Sequence, residues 1–240
     1  MNLMKLALLI TITGLILLSA SVSVQAQSTS VLTTGLKAPS KIIYSRGHLL
    51  VAESGEGPNT GRVSAVDQTG LRRTLLDNLP SGFSAPNNEP SGPSGLAVRG
   101  RTLFVLIGAG DVVRAGPRPG SEVPNPEGPS SPILSSVLQV TFSTQIERLM
   151  SGFNLSLADQ FTLANGYDVT LENGAGEQAT VELVADFRDY VRDPNTIVRS
   201  SNPFGLALEN SLLYIADASM NSVVRVQTNS RPTIAASRLC

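Results

Sequence analysis

Pro39-Ser-Lys-Ile-Ile-Tyr-Ser-Arg-Gly-His-Leu-Leu-Val-Ala-Glu53 returns twice more along the chain without a gap. The second copy is Pro93-Ser-Gly-Leu-Ala-Val-Arg-Gly-Arg-Thr-Leu-Phe-Val-Leu-Ile107. The third is Pro203-Phe-Gly-Leu-Ala-Leu-Glu-Asn-Ser-Leu-Leu-Tyr-Ile-Ala-Asp217. Each reads as a short apolar strand, a four-residue polar turn and a second strand rich in β-branched and aromatic residues, the grammar of a β-hairpin. A proline fits at the start, because the first residue of a strand need not donate to the ladder.

The text around the repeats extends the hairpin. Gly61-Arg-Val-Ser-Ala-Val-Asp67 follows the first copy and Asn221-Ser-Val-Val-Arg-Val-Gln227 follows the third. The counterpart after the second is delayed to Ser136-Val-Leu-Gln-Val140. An outer fourth strand is readable as Arg73-Thr-Leu-Leu76 and again as Val181-Glu-Leu-Val184. A repeated four-stranded meander predicts an all-β fold, the β-propeller, with blades starting near 39, 93 and 203. A β-sandwich also uses short strands, but it does not repeat a sequence unit.

The first two starts, positions 39 and 93, lie 54 residues apart; the next interval, 93 to 203, is 110. The doubled interval reads as one blade carrying two insertions, 108–135 and 143–178, with a skipped degenerate blade as the alternative. Only two blades and part of a third are then present, and residues 231–240 do not match a fourth strand. Three blades do not close a ring at ordinary blade geometry. The expectation is a partial ring from a truncated chain, with self-association to complete the ring as the other reading.

The N-terminus carries Lys5, an apolar run from Leu6 to Leu18, and small residues ending Val24-Gln25-Ala26. This reads as a signal peptide over 1–26 cleaved after Ala26, and so as a secreted or periplasmic protein. The run is short of the roughly 20 residues that span a bilayer. Of the 18 basic residues only Lys5 falls in that segment, so 17 face 19 acidic residues over 27–240. Near-balance supplies no electrostatic drive toward nucleic acid or anionic lipid. The lone cysteine, Cys240, cannot form an internal bridge.

Blade topology predicts that three loops rich in Gly, Pro, Asn and Ser emerge on one face: Ser54 to Thr60, Asn78 to Gly92, and Gly108 to Ser135. The insertion from Ser143 to Gln178 falls on the opposite face. There Ser156-Leu-Ala-Asp159 resembles a capping box, and Leu157, Phe161 and Ala164 recur at helical spacing, so a short helix is expected.

These features together are similar to the ScyD/ScyE-type family of exported proteins with NHL-like repeats. The carrying residues are Leu49-Leu-Val-Ala-Glu-Ser-Gly55, Pro58-Asn-Thr-Gly-Arg-Val-Ser64, Pro90-Ser-Gly-Pro-Ser-Gly-Leu96, Gly116-Pro-Arg-Pro-Gly120, Leu183-Val-Ala-Asp-Phe187 and Ser201-Asn-Pro-Phe-Gly-Leu206. The resemblance covers almost the whole of 27–240. It implies a complete propeller of about six blades in longer members, and it transfers no catalytic residues.

Chemistry is sparse. The sole histidine, His48, sits in a predicted turn on the face away from the long loops, so neither a His-based triad nor a His/Cys zinc site is legible. Gly108-Ala-Gly110 is too short for a phosphate loop. Oxygen ligands are present: Glu53 and Asp217 hold equivalent repeat positions, and Asn59, Asn87, Asn88, Asp111, Asn202 and Asn221 lie in or beside the same face's loops. Calcium accepts such mixed oxygen sets. Asp and Asn at strand ends also bond their own turns. Two functions follow as expectations. One is a non-catalytic module binding a protein or small ligand on the long-loop face. The other is a calcium-dependent lactonase or hydrolase with carboxylates at the channel mouth.

Overall fold

The computed structural model describes residues 28–84, 87–119, 121–187 and 200–228. The expected export signal, its cleavage point after Ala26, and Cys240 lie outside the described residues. The chain forms two compact units. Residues 28–31 of the first carry no helix or strand, and the second begins at Leu32.

That second unit is mostly β-strand, arranged in small antiparallel sheets. Strands β1 (Pro39–Ser45), β2 (His48–Glu53), β3 (Gly61–Val66) and β4 (Arg72–Leu79) form a meander in sequence order. A two-stranded hairpin follows, β5 (Gly82–Ser84) with β6 (Glu89–Ser91). The second sheet begins with β7 (Pro93–Arg99) and β8 (Thr102–Ile107). Another small hairpin, β9 (Val113–Ala115) with β10 (Glu122–Pro124), intervenes before β11 (Ser136–Phe142) returns to pair with β8. Next come β12 (Phe153–Asn154), helix α1 (Leu157–Ala164), β13 (Val169–Glu172) and β14 (Gln178–Asp186), giving the order β13-β14-β11-β8-β7. The third sheet is β15 (Pro203–Glu209), β16 (Leu212–Asp217) and β17 (Ser222–Gln227).

The repeat holds in backbone register as well as in sequence pattern. Pro39 pairs with Glu53, Pro93 with Ile107 and Pro203 with Asp217, and each first strand has its register shift directly after the proline. The four-residue polar turns tighten to two-residue loops, because Ser45 pairs with His48, Arg99 with Thr102 and Glu209 with Leu212. Their first loop residues, Arg46, Gly100 and Asn210, all take positive φ (43°, 64° and 55°). Positive φ at that position matches the right-handed strand twist. His48 accordingly starts β2 as a half-buried residue rather than standing in the turn.

Since β11 pairs with β8 and β14 with β11, the doubled interval is one sheet with two insertions. Alternate residues of this sheet serve two cores. Leu96, Leu103, Val105 and Ile107 join Leu50, Ala52, Val63 and Leu76 of the first sheet. Ala97, Phe104, Leu106 and Val137 join Leu206, Leu213 and Ile215 of the third. The period of two along each strand sends neighbours to opposite sides. Burying each Leu, Ile or Phe contributes about 1.5–3 kcal/mol.

Two expectations need correction. The loops at 78–92 and 108–135 are not wholly irregular, because each contains a small hairpin. In α1 the capping box forms as expected, with Ser156 Oγ accepting from Asp159 N. The helix nevertheless buries Gln160 and Leu163, leaving Leu157 and Phe161 45% and 53% exposed. The Gln160 amide turns inward because its Nε2 donates to Asn78 O at 3.0 Å, at the end of β4. The insertion carries β12 alongside β4 in parallel. Gly152 permits this approach, since a Cβ there would lie 2.5 Å from Thr74 O. Phe153 then packs on Phe142 of the second sheet, ring centroids 5.6 Å apart.

Candidate functional site

Following each strand to its end separates the eight candidate residues into groups. Glu53 closes β2 and is fully enclosed. Its Oε1 accepts from Ser64 Oγ at 2.5 Å, and its Oε2 accepts from Lys37 N at 2.6 Å with Arg72 Nη1 3.6 Å away. Asp217, at the equivalent repeat position in the third sheet, is used in the same way. Its Oδ1 accepts from Asn202 N and Met220 N, both at 3.1 Å, and its Oδ2 accepts from Ser201 Oγ. Each carboxylate thus ties the segment before its first strand to the end of its second.

The three long loops meet around Ser81. Its hydroxyl accepts from Thr60 N at 2.8 Å and Gly61 N at 2.9 Å, and donates to Gly57 O at 2.7 Å. Its carbonyl accepts from Asn59 N at 3.0 Å and Ser130 Oγ at 2.8 Å. Asp111 Oδ1 in turn accepts from both Ser130 N and Ser130 Oγ at 2.9 Å. Asn59 adopts φ +52° and its Nδ2 donates to Ser130 O at 2.8 Å, while its buried Oδ1 has no protein partner. Asn125 completes the knot, its Nδ2 donating to the carbonyls of Asp111 (2.9 Å) and Gly128 (2.8 Å). The loops at 54–60, 78–92 and 108–135 therefore form one hydrogen-bonded platform.

The remaining candidates lie apart from that knot. Asn87 and Asn88 are exposed at the tip of the β5–β6 hairpin. Asn202 receives Ala218 N on its carbonyl at 3.0 Å, and Asn221 is exposed at positive φ in the β16–β17 turn. Asp217 and Asn221 border a shallow depression of about 310 Å³ whose other walls include Phe204, Ala216 and Val223.

The Glu53 and Asp217 oxygens already hold protein donors. Among the described residues no three His, Cys, Asp or Glu side chains gather as cation ligands. The Thr69 hydroxyl holds Asp67 below the usual carboxylate range, the Asn173 amide does the same for Glu177, and burial raises Glu122 on β10.

Ser64, Ser81, Ser130 and Ser201, the hydroxyls that organise the carboxylates and loops, were not among the sequence candidates. Nothing in their local sequence separates them from the chain's other serines. Asn125, followed by Pro-Glu-Gly, did carry a turn signal. No helix among the described residues is long and apolar enough to cross a membrane. No protein-family model matches the sequence, and neither does any curated protein.

Proposed function

We propose that the chain is an exported, NHL-like β-propeller module of the ScyD/ScyE type, and that it binds a protein or small ligand on its long-loop face. The observation that carries this reading is the platform centred on Ser81. Three loops from two sheets are bonded into one rigid surface, while their tips, including Glu56, Asn88 and Arg118, stay exposed. Loops held this way on a sheet scaffold are the usual place for recognition. The blade reading draws support from the order of first strands, β1 beside β7 and β7 beside β15, as radial packing of blades requires.

A calcium-dependent lactonase or hydrolase is the second reading. Its one favourable observation is the buried, unpartnered Oδ1 of Asn59 beside the Asp111 cluster. The test trims the exposed β9–β10 tip, replacing 117–119 by two glycines, and compares capture of exported proteins and metabolites with the unaltered protein. Capture lost at an unchanged melting temperature supports the binding module. A melting temperature raised by calcium, with the rise abolished by Asp111→Asn, would overturn it in favour of the metal-dependent reading.

A further inference from the structure

Helix α1 is mounted with its large apolar pair outward. Leu157 and Phe161, one turn apart, stand 45% and 53% exposed, and Tyr167 in the loop after the helix is 70% exposed. Inward, where it meets β4, β13 and β14, the helix sends Leu163 and Gln160. The Gln160 side chain is fully enclosed, and its Oε1 is buried with no partner among the described residues. An unpaired buried acceptor costs stability, and a surface helix normally turns its apolar stripe to the core. A rotation of ~100°, the angle between successive residues, would exchange Gln160 for Phe161. The entry to the helix prevents that turn. Leu155 N donates to Asp77 O at 3.1 Å, and the capping box fixes the first turn directly after it. The fold thus gives up a buried bond while holding Leu157 and Phe161 in solvent. Local rules broken in this way mark surfaces that are used.

We infer that α1 is a docking site for a basic segment of another protein, one whose apolar side chains seat on Leu157 and Phe161. The charge around the helix specifies that occupant. From 149 to 187 stand six of the 19 acidic residues of 27–240, namely Asp159, Asp168, Glu172, Glu177, Glu182 and Asp186, and no Lys, Arg or His. Asp159 is used in the capping box and Glu177 in the β13–β14 turn. Asp168 and Glu172 are exposed and have no side-chain partner among the described residues. A lysine or arginine brought to this surface meets uncompensated carboxylates, which steers the encounter and fixes its register. The aromatic and aliphatic side chains beside them supply the contact that holds it.

The same charge argues against a lipid surface. Helices that lie in a membrane interface carry Lys and Arg beside their apolar face, and carboxylates are repelled by anionic headgroups. The site is also held in place beforehand, which lowers the ordering cost of docking. Arg73 Nη2 donates to Ile146 O at 2.9 Å and Glu147 O at 3.0 Å, tying the start of the insertion to β4. Gln160 Nε2 then ties the helix itself to the end of that strand, at Asn78 O.

The test titrates the full chain with a labelled model helix of Lys, Leu and Ala whose leucines form one stripe, with a Glu-for-Lys version as control. The lysine helix is expected to bind, more weakly as salt is raised, and the glutamate version to stay free. Leu157→Ser combined with Phe161→Ser, both outward and so compatible with the fold, is expected to weaken binding by about tenfold or more. Asp168→Lys combined with Glu172→Lys should weaken it as well and flatten the salt dependence, whatever the first variant does to folding. Binding that either pair of substitutions leaves unchanged overturns the inference, and so does equal binding of the two helices. Adsorption to phosphatidylcholine vesicles, or a solution mass of two chains, that disappears in the Leu157/Phe161 variant reassigns the surface to lipid or to a second copy and overturns it too. Trimming 117–119 does not touch α1, so this inference and the loop-face reading fail separately.

Discussion

The second and third sheets start from the same fifteen-residue pattern and meet different fates. In the second, Leu103 to Ile107 are all completely buried, since sheets lie against both faces. In the third, Leu213 and Ile215 are completely buried while Ala216 and Val223, on the other side, are exposed. The repeat sets which side chains share a face. Whether that face is core or surface depends on a neighbour the repeat does not encode.

Paired substitutions sharpen this contrast, the largest effect coming at the most enclosed position. Phe104→Ala is expected to cost about 3–5 kcal/mol, the usual range for removing a buried ring. The equivalent Tyr214→Ala should cost about 1 kcal/mol or less in dilute protein. Urea unfolding at low concentration measures both, and equal costs would break the comparison.

Gly95→Ala comes next. Its new methyl has no room beneath Leu206, and overpacking of this kind costs about 1–3 kcal/mol. Gly205→Ala meets only ordinary contact, and a restricted unfolded chain makes it neutral or stabilising by up to about 1 kcal/mol. Thermal melts of the two variants moving in the same direction would contradict the assigned packing of the second and third sheets.

Smallest is the Ser94 contact. Ser94→Ala leaves Pro203 O without its donor and should lose about 1 kcal/mol. Phe204→Ser, on the open face, should be near neutral in the same denaturation assay.

Much of the fold was legible beforehand. β1, β2 and their equivalents follow from the three aligned segments. The delayed β11 and the outer β4 and β14 follow from alternating apolar residues near Ser136, Arg73 and Val181. All of these are local signals with period two. Helix α1 was legible from its capping box, but its buried face was not. Spacing pointed to Leu157, Phe161 and Ala164, of which only Ala164 packs on the core, while a carbonyl at the end of β4 drew Gln160 inward. The candidate site was legible only in part. Asn59 and Asp111 do meet in one loop cluster, whereas Glu53 and Asp217 spend their oxygens on backbone and serine donors that, Met220 apart, lie 11 to 16 residues away in sequence.

By itself the sequence determined the strand content, the shared register of the three hairpins and the side of each strand that every residue occupies. Those properties arise from short-range sterics and from alternation along the backbone. Tertiary structure alone decided that β12 would run parallel to β4, that Ser81 would bind three loops together, and that Gly95 would be covered while Gly205 stays open. Each of these depends on groups distant in sequence arriving within hydrogen-bonding or van der Waals range, and no local pattern encodes that meeting.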